Sequence, residues 1–242
     1  MKLFYNIVAC FLSLTMGAYA VDPDFVYTKN LALPMSQRGL DLITYYEVGG
    51  GRASYEKSYA RPIVPAWQTT SSGCTIMIGL DCGFLTKDQI RTALTSVATE
   101  EEIQLLQSVS GMKGKNAYYN GLPKIRNNIR FNYDQAQTVF MNYTLPSFTK
   151  QTANAFVISP DKLSPDSNSA LVSLVYNRGP DLSMKDSRKE MRWIKYNLST
   201  GKDNLVPSDI RSMKRLWSYA TLKGLHLRRD AEAKLFENGL KK

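Results

Sequence analysis

Glu47, Thr75 and Asp81 are the residues whose types and spacing suit acid–base chemistry. Leu40, Ile43 and then Tyr46 or Glu47 recur at helical intervals, so the end of a helix over 37–46 sets the Glu47 carboxyl on an apolar stripe. A carboxyl withdrawn from water favours its protonated form, the state a general acid needs. Escape to solvent at a frayed helix end is the competing reading, and periodicity does not choose between them. Thr75 and Asp81 bracket a β-rich stretch, Cys74 to Leu80, and its exit turn. They face one side if the strand stays regular. A hydroxyl and a carboxylate on one rim of a cleft can hold and deprotonate a water. Taken singly, each is better read as an ordinary strand threonine or turn aspartate. Trp67 and Gln68 are candidate sugar contacts; a tryptophan packed in the core is the alternative for Trp67.

Other chemistries lack their residues. His226 is the single histidine, so a His-rich metal site cannot be assembled, and no metal or cofactor is expected. A Ser-His-Asp or Cys-His centre would have to use His226, which lies beside Arg228 and Arg229 in a basic helical stretch and reads as a solvated surface residue. Neither glycine-rich phosphate-loop pattern occurs. The net charge of +10 suits an anionic polymer. Nucleic acid is the common partner of a basic chain, but an export signal argues against it.

The elements that must position these residues are mostly helical. Ser36 caps the helix over 37–46, and Gly49-Gly50-Gly51 stops it. Residues 55–66 are irregular, with Pro62 and Pro65 blocking regular structure. Thr86 and Thr99 head helices over 87–94 and 100–108. Residues 111–121 form a glycine-punctuated connection. Helices follow over 133–150, 166–176, 185–198, 208–220 and 224–236, the second of them buried and closed by Gly179-Pro180. The fold class is therefore α+β, mainly helical, with a small β element near Cys74 to Gly83.

A resemblance gathers these pieces. Ser72-Gly73-Cys74-Thr75-Ile76-Met77-Ile78-Gly79-Leu80-Asp81-Cys82-Gly83 resembles the Ser-Gly-Val-Thr-Ile-Gly-x-Gly-Tyr-Asp-x-Gly pattern of muramidases of the pesticin and phage-lysozyme kind. Residues 43–49 resemble that family's first helix, ending in its catalytic glutamate. Residues 170–179 are similar to its central buried helix, and 224–236 to its closing helix. The match runs in order from Leu40 to Phe236. It implies a lysozyme-like fold, with a small β-sheet lobe, a helical lobe and a glycan cleft between them. It implies cleavage of the β-1,4 bond between N-acetylmuramic acid and N-acetylglucosamine. Glu47 would protonate the leaving oxygen; Asp81 and Thr75 would position and activate water on the opposite face. That is the inverting geometry, with carboxyl groups about 6.5–9.5 Å apart. Met77 and Leu80 depart from the family's glycine and tyrosine, which puts activity or substrate preference in question.

Residues 1–20 read as a cleavable secretory signal: Lys2, an apolar run and Ala18-Tyr19-Ala20. Export to the periplasm or medium is expected, with no permanent membrane anchor. An irregular lead-in over 21–36 then precedes a lysozyme-like catalytic domain over 37–238. The expected partner is a peptidoglycan glycan strand, and the expected state a monomer. A non-catalytic wall-binding protein on the same fold is the alternative, and a transglycosylase, which needs the glutamate and not Asp81, is a third. Cys74 and Cys82 are expected as two unpaired thiols, since a straight strand would hold them too far apart for a disulfide.

Overall fold

A computed structural model describes residues 25–69 and 71–241. The expected signal at 1–20 lies outside the described residues. The described residues are mainly helical, with two small two-stranded antiparallel sheets among them. Where one domain was expected over 37–238, the chain divides into two compact units, Glu47–Leu145 and residues 25–46 with 146–241.

The larger-numbered unit is built on the helix Pro165–Arg178, buried from Asp166 through Asn177. A helix buried on every side must satisfy its polar side chains internally. Ser169 Oγ donates to Pro165 O at 2.7 Å and accepts from Ser36 N at 3.0 Å. Gly39 lies so close that an added Cβ would overlap the Ser169 side chain, and a Cβ on Gly239 would overlap Ser164 and Ser167. Helices Gln37–Val48 and Tyr219–Leu240 thus approach the central helix through small residues. The chain leaves the central helix at Gly179, with φ +77°. Residues 21–36 were expected to be irregular. Within them, Val26–Tyr27 pairs with Met35–Ser36, in register Val26↔Ser36. Ser36 Oγ accepts from Gly39 N at 3.1 Å, the expected cap.

Arg228 and Arg229, in the basic helix, are both buried, as is Glu232. Glu232 Oε1 accepts from Ser173 Oγ at 2.7 Å, Arg228 Nε at 3.1 Å and Arg229 Nη2 at 3.0 Å. Arg229 Nη2 also donates to Asn177 Oδ1 at 3.1 Å. Arg229 Nε stands 2.9 Å from Glu232 Oε2 without hydrogen-bond alignment, so this contact is an ion pair only. Burial pulls the Arg229 guanidinium down to about 10, against the opposing pull of Glu232. His226 is half-buried rather than solvated, and its Nε2–H donates to Trp217 O at 2.9 Å.

In the Glu47–Leu145 unit, Gly49, Gly50 and Gly51 all take positive φ, which ends one helix and launches another, Arg52–Ser58. That helix occupies part of the stretch expected to be irregular; both prolines lie beyond it. Helices Lys87–Leu94 and Glu100–Gln107 carry complete capping boxes, Thr86 with Gln89 and Thr99 with Glu102. The expected connection over 111–121 is instead helical: Gly114–Asn116, a π turn Ala117–Gly121, then Leu122–Ile125. Gly121 is a packing residue, because an added Cβ would press on Met112 Sδ at 3.1 Å and Cys74 Sγ at 3.2 Å.

Candidate active site

The β-rich stretch is a hairpin rather than one strand. Thr75–Ile76 pairs antiparallel with Leu80–Asp81, in register Thr75↔Asp81. Met77 and Gly79 close the turn with φ of +53° and +74°. The hairpin, not strand regularity, makes Thr75 and Asp81 neighbours. The Thr75 main chain exchanges hydrogen bonds with Ile63, at 2.8 and 3.0 Å, on its other edge. Thr75 and Asp81 therefore form a non-hydrogen-bonded cross-strand pair, the type whose side chains come closest.

Asp81 is 8% exposed. Its Oδ1 accepts from Gly83 N at 2.9 Å and Gly73 N at 3.0 Å, and its Oδ2 stands 3.1 Å from the same Gly73 N. Charge-assisted bonds from backbone amides suit an ionised carboxylate. Two glycines make this wrapping possible. A Cβ on Gly73 would lie 2.5 Å from Gly83 Cα and 2.6 Å from Asp81 Oδ1. A Cβ on Gly83 would lie 2.6 Å from Met112 O. The Thr75 hydroxyl donates to Gly73 O at 3.3 Å.

Glu47 is 6% exposed, so the apolar-stripe reading holds over the frayed-end alternative. It lines a recess of about 300 Å³, counting space open to solvent, with Tyr59, Ile63, Pro65, Thr75, Met77 and Gly79. Burial first, and then the charge of Glu47, pushes the Tyr59 phenol up. The structure thus brings Glu47 and Thr75 to one recess. Asp81 lies across the ladder from Thr75 and is not part of that lining. Met77 is buried and lines the recess from the left-handed turn position where the muramidase pattern has glycine.

The other candidates separate. Trp67 is neither core nor free: it is half-buried and stacks on Tyr118, ring centroids 4.3 Å apart and planes 16° apart. Gln68 is exposed, and neither it nor Trp67 lines the recess. Cys74 and Cys82 are buried free thiols. The hairpin supplies the bend that a straight strand lacks, with Cys82 N donating to Cys74 O at 2.9 Å. Burial and the nearby Asp81 charge push the Cys74 thiol up to about 12, and the same causes raise Cys82. Thiols so raised are protonated and poor nucleophiles.

Tyr59, Ile63 and Pro65 were missed from sequence. The positive φ of Met77 had no marker, so the fold that faces Ile63 against Thr75 was hidden. Among the described residues no group of three or more His, Cys, Asp or Glu side chains is placed to hold a metal ion, and no helix is long and apolar enough to cross a membrane. No protein-family model matches the chain, and no curated protein matches it in sequence.

Proposed function

We propose that the protein is an exported peptidoglycan hydrolase, cleaving the β-1,4 bond between N-acetylmuramic acid and N-acetylglucosamine with inversion. The observation that carries this reading is the meeting of Glu47 and Thr75 at one recess, with Asp81 as the cross-strand partner of Thr75. Glu47 acts as the acid that protonates the departing glycosidic oxygen. Glu47 is nearly buried and lines the recess where the departing oxygen would lie. Asp81 is the base, held as an anion by the amides of Gly73 and Gly83. Thr75 orients the attacking water, its hydroxyl turning from Gly73 O. The resemblance of residues 72–83 to the muramidase pattern supports the same assignment.

A second reading is favoured by one observation. Asp81 is engaged with backbone amides and does not line the recess. A transglycosylase needs only the glutamate, because the muramic acid hydroxyl attacks in place of water. Purified sacculi distinguish the readings. Hydrolysis releases reducing ends, with Glu47→Gln slower by about 10²–10⁴-fold. Mass analysis finding anhydro-sugar ends would reassign the reaction. Wild type no faster than Glu47→Gln would sink both and leave a wall-binding protein.

A further inference from the structure

Two residues along the chain from Pro65, which lines the recess, begins a group of rings that the proposed chemistry does not use. Trp67 stacks on Tyr118, and Tyr119 meets both edge-on, at 5.2 Å and 74° to Trp67 and 5.1 Å and 89° to Tyr118. Tyr119 is 59% exposed. Adjacent residues on an α-helix point about 100° apart, so two consecutive tyrosines do not ordinarily reach one partner. Here they do so from the π turn Ala117–Gly121. Such turns cost hydrogen-bond geometry and concentrate at functional sites. Trp67 has its own irregularity: Ala66, just before it, sits at φ +45°. Left-handed backbone at alanine is unfavourable and persists where surrounding structure holds it. Pro65, one residue earlier, lines the recess with Glu47 and Thr75. Two strained segments thus converge to hold three rings at the surface, continuous along the chain with the candidate site.

Charge specifies the occupant. From Gly111 to Arg130 the chain carries five cations and no carboxylate. Lys113 and Lys115, on the approach to the two tyrosines, are both exposed. Asn120, next to Tyr119, is also exposed and donates to Asn116 Oδ1 at 2.9 Å. Aromatic faces pack against the apolar C–H face of a pyranose, amide groups meet its hydroxyls and acetamides, and the lysines attract a carboxylate. We propose that Trp67, Tyr118 and Tyr119 form a sugar-stacking subsite for a carboxylate-bearing amino-sugar strand, with Lys113 and Lys115 supplying the charge preference. The subsite extends the proposed function by naming what grips the strand, and it rests on a glycan substrate but not on turnover.

Tyr119 is exposed, so its replacement removes its edge-on contacts with Trp67 and Tyr118 but no buried core packing. The full chain carrying Glu47→Gln is titrated with muramic-acid-containing strands stripped of peptide, and with neutral chito-oligosaccharide of the same length. Binding of the acidic strand is expected to be tighter, by a margin that shrinks as salt rises. Tyr119→Ala on that background is expected to weaken it about three- to tenfold, and Tyr119→Phe to restore it. In the Glu47-containing protein, Tyr119→Ala is expected to raise KM more than it lowers kcat. Equal binding by Tyr119→Ala and its parent overturns the subsite, even where sacculi are hydrolysed. Equal affinity for acidic and neutral strands overturns the charge assignment. Tyr119-dependent binding without hydrolysis keeps the subsite and removes the muramidase reading instead.

Discussion

The two units each bury a carboxylate, and they do so in opposite ways. Glu232 is fully buried and held by side chains, two guanidinium groups and a serine hydroxyl. Asp81 keeps a sliver of exposure and is held by two backbone amides. The first arrangement is closed: removing one member strands charges with no route to water. The second is open: fixed backbone dipoles hold the carboxylate where it keeps some contact with water. Such a carboxylate can accept a proton, whereas Glu232 is committed to neutralising Arg228 and Arg229. The difference separates a buried charge that maintains the fold from one that suits chemistry, although both look alike by burial.

Glu232→Ala should have the largest effect. It leaves Arg228 and Arg229 buried with their shared anion gone, a loss of about 3–5 kcal/mol. Urea unfolding would show it, and a loss under about 1 kcal/mol would mean that water already reaches the cluster. Asp81→Ala comes next. It leaves the Gly73 and Gly83 amides without their acceptor, about 2–4 kcal/mol by the same measurement. An Asp81→Ala protein as stable as wild type would show that those amides are satisfied by water and that the cradle is not structural.

Alkaline pH adds a reversible effect to which the hairpin contributes. Cys74 is raised to about 12 when folded, from about 9 when unfolded. Its buried neutral thiol stabilises the fold fully below the unfolded value. That contribution is lost as pH rises from about 9 towards 12, because only the unfolded chain then ionises. Stability should fall across that window in wild type and less in Cys74→Ala, which thermal melts at stepped pH would test. Met77→Gly should change least. Glycine relieves roughly 1–2 kcal/mol of left-handed strain, while lost burial of the methionine costs about 1.5–3 kcal/mol. A net loss of about 1 kcal/mol is expected. A gain would mean that Met77 is retained against stability.

Legibility from sequence followed locality. Glu47 was readable because Leu40 and Ile43 are its own helical neighbours. The helices headed by Thr86 and Thr99 were readable because each capping box closes within four residues. The hairpin was not: its strands are two residues long and its turn needs a positive φ at methionine, which carries no signal for it. The burial of Arg228 and Arg229 was not legible because the groups that accompany it, Ser173 and Asn177, lie more than 50 residues away. Gly121 read as punctuation because only the three-dimensional approach of Met112 and Cys74 gives it a packing role. The acidic pair of the candidate site was thus visible as residue types, and its geometry was not.

Thr75 sits between two partners, tied to Ile63 through its main chain and to Asp81 across the hairpin. Its amide can exchange with solvent only after the Ile63 bridge opens, and its carbonyl is locked by the same bridge. Any displacement of Ile63 therefore pulls on Thr75, the residue proposed to orient the water. On the proposed reading, access to the recess and alignment of the water are then mechanically linked through the same two main-chain bonds.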